Sequence, residues 1–83
     1  MTNNRIFDLM PNTSQKSFYG KARVVENNDS ITLYSYNTAV CAIVNGVFKK
    51  LWFDYSATTM KHINAFCDYY GIQGGGKKWW DSL

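Results

Sequence analysis

The fold is decided by residues 41–50, which read CAIVNGVFKK. Asn45-Gly46 separates two apolar runs, and a type I′ turn favours this dipeptide because both central residues need a positive φ. The two-residue loop pairs Val44 with Val47 and so fixes the register of a hairpin. One face then carries Val40, Ala42, Lys49 and Leu51, and the other carries Cys41, Ile43, Phe48, Lys50 and Trp52. Both faces are partly apolar, so the pattern does not identify the side that faces the core.

Further strands precede this hairpin. Residues 31–44 are too many for one regular strand, and the polar residues near Asn37 predict a bulge or corner that divides them. Residues 27–30 (NNDS) predict a turn, since Asn and Asp tolerate left-handed backbone. Residues 17–26 alternate as a half-buried strand does, with Arg23 on the opposite face from Val24. The sequence therefore predicts three or four antiparallel strands in meander order.

A helix is predicted after the sheet. Ser56 can cap its first turn through the side-chain hydroxyl. Apolar residues recur at three- and four-residue steps from Met60 to Tyr70, which gives one apolar stripe. Gly71 stands where helices commonly end in a left-handed residue. We expect a helix from about residue 57 to 70 that packs across one face of the sheet, because each element has an apolar face to bury.

The two ends of the chain differ in composition from its centre. Residues 1–16 are polar around a short apolar cluster and predict a loose N-terminal arm with one docking patch or helical turn. Residues 73–83 contain three successive glycines followed by KKWWDSL, which predicts a hinge and a basic, tryptophan-containing tail. The expected organisation is an arm at 1–16, a small α+β domain of order β-β-β-α at 17–72, and a tail at 73–83.

Length and composition restrict the classes of function. A chain of 83 residues is enough for one domain with a thin core, which excludes multidomain enzymes and most cofactor folds. The net charge of +3 permits nucleic-acid binding without requiring it. We recognise no signal peptide and no membrane-spanning stretch. The expectation is a cytoplasmic protein without membrane contact, in which Cys41 and Cys67 are free thiols.

No motif predicts catalysis. Residues 71–78 (GIQGGGKK) approach the P-loop pattern, but Lys78 replaces the magnesium-binding Ser or Thr and the segment follows a helix. His62 is the only histidine, and it is expected to be a partly exposed structural residue beside the apolar stripe. One histidine and two isolated cysteines lack the spacing of a zinc site. We therefore predict a non-enzymatic protein with no catalytic residue, no cofactor and no metal site.

The candidate functional region is a surface that mixes aromatic and basic side chains. Such a sheet can stack bases and contact phosphates, and the same residue types are typical of protein-binding hot spots. Cross-strand packing is the competing explanation for the tyrosines. The predicted binding residues are Tyr19, Lys21, Arg23, Tyr34, Tyr36, Lys49, Lys50, Trp52, Lys77, Lys78, Trp79 and Trp80.

Three runs resemble a family of small uncharacterised domains encoded by phages, plasmids and integrated mobile elements of Firmicutes. They are KSFYGKA at 16–22, LYSYNTAV at 33–40 and YSATTMKHINAF at 55–66. The resemblance implies a habitat, the cytosol of a host bacterium, and no mechanism or catalytic residue. Small proteins of such elements are often regulators or inhibitors of host machinery. This link to function is by association with the habitat and identifies no mechanism.

These observations predict a small accessory protein of a phage or mobile element that binds and modulates a host or phage protein. An anti-CRISPR-like inhibitor of host defence is one form of that role. The alternative is a nucleic-acid-binding module that uses the basic and aromatic sheet face, and dependence of affinity on salt separates the two. A homodimer is a further expectation, because the core is small and lysines cap the edge strands.

Overall fold

The computed structural model describes residues 4–11, 18, 20–54 and 56–83. Its elements in chain order are β1 Arg5–Asp8, β2 Ala22–Glu26, β3 Ser30–Ser35, β4 Thr38–Val44, β5 Val47–Lys50, α1 Ala57–Tyr69 and α2 Lys77–Asp81. The strands form one antiparallel sheet in the order β1-β2-β3-β4-β5. The predicted α+β meander with a helix after it is confirmed. The described residues also form the strand β1 and the helix α2, which we did not predict.

Two tight turns set the register of β3, β4 and β5. Asn45-Gly46 has φ values of 51° and 80°, and Val44 pairs with Val47, so the predicted hairpin is confirmed. Tyr36-Asn37 also has positive φ, at 56° and 87°, and it joins β3 directly to β4. The chain therefore makes a second hairpin turn at the place where we expected only a bulge or corner.

One face of the sheet, called the inner face, packs against the helices. Alternation along the paired strands places on it Arg5, Phe7, Ala22, Val24, Glu26, Ile31, Leu33, Ser35, Cys41, Ile43, Phe48 and Lys50. Leu33 of the sheet and Ile63 and Phe66 of α1 are fully buried. Burial of each large apolar side chain contributes about 1.5–3 kcal/mol, so the contact between α1 and the inner face forms the core.

α1 starts and ends through the predicted caps. The Ser56 side chain accepts a hydrogen bond from the Thr59 backbone N–H. At the other end Gly71 has φ 70°, and the Ile72 N–H donates to the Cys67 carbonyl at 2.7 Å. This is the bonding pattern of a Schellman ending, which closes the helix and returns the chain towards the sheet.

The polar arm predicted for residues 1–16 contains a strand. β1 pairs with β2 along its whole length, and Leu9 beyond it is buried and donates its backbone N–H to the Ala22 carbonyl at 2.8 Å. Four residues are too few for periodicity to separate a strand from a helical turn. The hydrogen-bonding partner, β2, decides the conformation, so the boundary predicted at residue 16 divides a single sheet.

The tail predicted after residue 72 contains α2, which packs on the inner face. Trp80 is fully buried, with its ring 6.5 Å from that of Phe48 and its indole N–H donating to the Asp54 carbonyl at 3.3 Å. A Cβ at Gly75 would lie 2.8 Å from the Trp79 Cβ. The glycine thus allows the close approach that seats α2, and the second tryptophan belongs to the core.

Candidate functional site

The other face of the sheet, called the outer face, is covered by neither helix. Among the described residues, the hydrogen bonds and ring contacts between the helices and the strands go to inner-face residues, such as Ser35, Glu26 and Phe48. The strand register arranges the outer side chains in three rows. They are Ile6, Val25, Thr32, Ala42 and Lys49; then Asp8, Arg23, Tyr34 and Ala39; then Ser30, Val44 and Val47. The rows make a largely apolar surface with few charges.

Exposure on the outer face increases from its centre to its margins. Ala42 in the central row is buried, and Thr32 and Tyr34 beside it are half-buried. Ile6 on one edge strand is 67% exposed and Val47 on the other is 54% exposed. The exposed apolar side chains on this sheet face make it a candidate interaction site.

Three of the predicted binding residues lie together on the outer face. Arg23 and Tyr34 are direct partners across β2 and β3, and Lys49 lies in the neighbouring row on β5. The Arg23 guanidinium donates a hydrogen bond to the Asn37 side-chain oxygen at 2.9 Å. This bond orients the guanidinium along the β3–β4 turn, so that an aromatic ring and two cations share the exposed surface.

Lys21 and Tyr36 lie outside this group, at the end of the sheet beside α1. The Lys21 ammonium is 5.6 Å from the centroid of the Tyr36 ring, which is itself 5.7 Å from the His62 ring. Tyr36 belongs to the turn between β3 and β4 and leaves the period of β3, so it does not share the outer face with Tyr34. Tyr19 lies outside the described residues.

Lys50 and Trp80, both predicted to bind a partner, contact each other. The Lys50 ammonium donates to the Trp80 backbone carbonyl at 2.9 Å and lies 5.1 Å from the centroid of its ring. A cation at the last carbonyls of a helix satisfies acceptors that have no partner within the helix. These two residues therefore hold α2 on the sheet, and the buried Trp80 is not available at the surface.

Three of the remaining predicted binding residues belong to α2, and the fourth, Trp52, follows β5. Trp79 is half-buried with its ring 5.6 Å from that of Phe48, and Trp52 is half-buried against the core. Lys77 forms an ion pair with Asp81 within α2, and Lys78 is exposed. The structure thus divides the single surface that we predicted into an outer-face group, a group near α1 and a group around α2.

A buried polar cluster joins α1 to β3, and the sequence identified only its histidine. The Ser35 hydroxyl oxygen lies 2.8 Å from His62 Nδ1 and 3.0 Å from the Thr59 hydroxyl oxygen. All three residues are buried, so the expectation of a partly exposed His62 was wrong. Burial, with a smaller effect of the Lys21 charge, lowers the pKa of His62 and keeps the ring neutral at pH 7.

This cluster contains the side chains of a nucleophilic serine–histidine pair, but a substrate cannot reach the serine hydroxyl. A nucleophilic serine must reach the reacting carbonyl with its base beside it, whereas Ser35 is 2% exposed and faces the helix. Its hydroxyl is occupied by Thr59 and His62. The arrangement satisfies the hydrogen-bonding needs of buried polar groups and fixes how α1 sits on the sheet.

The two cysteines are buried and free, as predicted. Burial raises the pKa of Cys67 to about 11 and that of Cys41 further. Because the thiolate is the reactive form, both thiols are unreactive at neutral pH. Within residues 4–11, 18, 20–54 and 56–83, no group of three His, Cys, Asp or Glu side chains is placed to hold a metal ion.

Glu26 connects β1, β2 and the end of α1. Its carboxylate accepts a hydrogen bond from the Tyr70 hydroxyl at 2.6 Å and forms an ion pair with Arg5 at 2.8 Å. The hydrogen bond from Tyr70, together with Arg5, holds the pKa of Glu26 below its usual value. The Arg5 guanidinium also lies 4.5 Å from the centroid of the Phe7 ring. These contacts attach the first strand to the helix.

The family of the chain is shown by comparison of its sequence with family models. The chain belongs to the family of unknown function DUF8033, whose model matches residues 7–82. The matched range reaches from β1 through α2, so it includes both ends of the folded structure. Comparisons with curated proteins and with solved structures found no match. No helix in the part of the chain that the structure describes is long and apolar enough to span a membrane.

Proposed function

We propose that this member of the DUF8033 family is a non-catalytic protein-binding module that docks its partner on the outer face of the sheet. The observation that carries the proposal is the largely apolar surface formed by the three rows, which neither helix covers. Apolar surface in contact with water costs free energy that is recovered when a partner covers it. A folded domain whose helices leave such a face exposed is suited to association with a partner.

The distribution of charge on the outer face favours a protein partner. Val25 and Thr32 occupy the middle of the sheet. Arg23 on β2 and Lys49 on β5 are exposed. Arginine and tyrosine, present here as Arg23 and Tyr34, are residue types enriched at protein interfaces. The partner surface that fits is flat and apolar, with acidic groups opposite Arg23 and Lys49.

The cellular role in this proposal is that of an accessory protein of a phage or mobile element. It acts in the cytoplasm of the host bacterium and modulates a host or phage protein, for which inhibition of a host-defence complex is one form. The resemblance carried by residues 16–22, 33–40 and 55–66 supports this habitat. The buried Ser35 and His62 and the protonated thiols support a role that depends on binding.

The test is a pull-down from Firmicute lysate with three versions of the chain. Thr32→Lys places a charge at the centre of the outer face, and Gln73→Lys adds the same charge to an exposed loop residue on the helix side. We expect wild type and Gln73→Lys to retain one stoichiometric protein after nuclease treatment and Thr32→Lys to lose it. Equal retention by all three folded proteins would place the interface elsewhere and contradict the proposal.

A second candidate function, nucleic-acid binding, is favoured by one observation. Arg23 lies directly opposite Tyr34 on the exposed face, and Lys49 is in the adjacent row, so a base could stack on the ring while cations contact phosphates. Under this alternative, affinity for single-stranded RNA falls with salt, and removing both cations lowers the salt slope by about one for each. Lys78→Ala on α2 is the control. Unchanged affinity of the Arg23→Ala, Lys49→Ala double variant would exclude this function.

A further inference from the structure

The two edges of the sheet are protected to different degrees. β5 carries Lys49 and Lys50, the residue type that natural proteins use to prevent pairing of an edge strand with another chain. β1 at the opposite edge reads RIFD and has no lysine, no proline and no bulge in its pairing with β2. Among the strands of the described residues, β1 has β2 as its only neighbour.

Exposed apolar side chains lie along the β1 edge. Ile6 points to the outer face and is 67% exposed, and Met10 after the strand is 59% exposed. On the inner side, Tyr69 at the end of α1 is 56% exposed and its ring lies 5.6 Å from that of Phe7. Apolar surface is therefore available on both sides of the β1 backbone.

The backbone of β1 has hydrogen-bonding groups directed away from the sheet. Leu9 donates its N–H to the Ala22 carbonyl, and residues of one antiparallel strand bond the same neighbour at every second position. Arg5 and Phe7 therefore bond to β2, whereas the N–H and C=O groups of Ile6 and Asp8 point outward. These groups can pair with another strand without disturbing β2.

We propose that the β1 edge binds β1 of a second copy of this chain, antiparallel across a two-fold axis, to make one ten-stranded sheet. Opposed residues in an antiparallel pair point to the same face, which restricts the register. Ile6 opposite Ile6 of the other copy satisfies this condition and uses the outward backbone groups. The same register sets Arg5 opposite Phe7 of the other copy, where a guanidinium can stack on an aromatic ring.

Charge favours this pairing over the alternatives. Arg5 and Asp8 balance each other within β1, and Arg5 is already paired with Glu26. Pairing of two β5 strands would bring Lys49 and Lys50 of both copies together. Pairing of β1 with β5 would leave a free edge at each end and build an open fibre, whereas the two-fold arrangement uses the same edge in both copies and closes at a dimer.

The first test compares the mass of the full chain in solution by light scattering and sedimentation with that of two matched variants. Ile6→Lys and Val47→Lys each place a lysine on the outer face of an edge strand at an exposed β-branched residue. We expect wild type and Val47→Lys to be dimers and Ile6→Lys to be a folded monomer, with a circular dichroism spectrum like that of wild type and a melting temperature that no longer depends on concentration. A wild-type protein that stays monomeric at millimolar concentration would overturn the proposal.

The second test locates the interface directly. A hydrogen-bonded antiparallel pair has its Cα atoms about 5.5 Å apart, within the range that a disulfide spans. We expect Ile6→Cys to form a covalent dimer on mild oxidation and Val47→Cys to remain uncrosslinked. The native thiols do not interfere because Cys41 and Cys67 are buried and their pKa values are raised.

The dimer and the proposed binding function are separable in these experiments. Thr32→Lys tests the outer face, and Ile6→Lys tests the edge. A dimer that survives Ile6→Lys and is lost with Thr32→Lys would place self-association on the outer face and overturn the edge pairing. A protein partner lost with Thr32→Lys from a chain that remains dimeric would support both proposals independently.

Discussion

The inner and outer faces of the sheet have similar sequences and different roles. In β4, for example, Cys41 on the inner face and Ala42 on the outer face are both buried. The difference between the faces comes from α1 and α2, which both lie on the inner side. Stability should therefore depend chiefly on inner-face residues, and recognition on outer-face residues. Substitutions on the two sides test this separation.

The largest expected effect is from Trp80→Ala on the inner side. Removal of a fully buried indole leaves a cavity and should lower the free energy of unfolding by about 3–5 kcal/mol. Urea denaturation measures the loss. Trp79→Ala is the control, because that side chain is half-buried and its removal should cost less. Equal effects at the two tryptophans would show that α2 is not part of the core.

Ser35→Ala should have the next largest effect. The change leaves His62 Nδ1 and the Thr59 hydroxyl without their shared partner in a buried site, which costs about 1–3 kcal/mol. Ser30→Ala, in an outer row and half-buried, is the matched control and should change the free energy of unfolding little. If the two serine variants are equally stable, the cluster does not secure α1 to the sheet.

The free energy of unfolding should fall as the pH is lowered from 7 to 5. The pKa of His62 is below its ordinary value of 6.5 in the folded state, so the unfolded chain takes up the proton first. Above about pH 6.5 the titration of His62 therefore does not lower the free energy of unfolding. Below that pH it lowers the free energy of unfolding by at most about 1.4 kcal/mol per pH unit.

The His62→Phe variant isolates this pH dependence. His62 is the only histidine, and Lys21 is the charged group that acts on it. We expect the variant to lose most of the slope between pH 7 and 5, measured by urea denaturation at a series of pH values. A slope that persists would assign the effect to another group.

Tyr70→Phe should cost about 0.5–1.5 kcal/mol, since it removes one hydrogen bond at the sheet margin. It should also raise the pKa of Glu26, because the Tyr70 hydroxyl is the main cause of its lowered value. The ionised Glu26 stabilises the fold at pH values above its unfolded pKa of about 4.5, and this stabilisation is lost as the pH falls. NMR titration of Glu26 checks the direction, and Tyr69→Phe is the control. A pKa that does not rise would contradict the assignment.

The smallest effect on stability is expected on the outer face. Val25→Thr changes a half-buried side chain that no helix contacts, and it should alter the free energy of unfolding by about 0.5 kcal/mol or less. The same change should weaken capture of the protein partner. Val24→Thr, one residue away on the inner face and fully buried, should destabilise the fold much more. Similar losses of stability at both positions would contradict the division between the faces.

Much of the fold could be predicted from short-range chemistry. Asn45-Gly46 permits the positive φ values of a hairpin turn, and the pairing of Val44 with Val47 followed from the length of that loop. Ser56 and Gly71 marked the ends of α1 through their capping groups. These features depend on one residue and its immediate neighbours, so they can be recognised without knowledge of the rest of the chain.

The candidate site was harder to predict because it depends on contacts between distant segments. Arg23, Tyr34 and Lys49 were identified, and the register brings them together. Lys50 of β5 and Trp80 of the predicted tail were assigned to a binding surface, but they contact each other. The local sequence around each residue is the same whether it binds a partner or another part of its own chain. The alternation of residues along the strand did not predict that the Tyr36 ring lies near the His62 ring.

The amino-acid sequence was enough to predict the meander of the central strands, the Asn45-Gly46 turn and the limits of α1, because these follow from backbone preferences and hydrogen bonds between neighbours. Only the tertiary structure decided that β1 joins the sheet, that α2 returns to it and that both helices choose the same face. Each of those outcomes depends on burying apolar surface between residues far apart in the chain, as Trp80 does against Phe48. As a result, neither of the two helices covers the outer face.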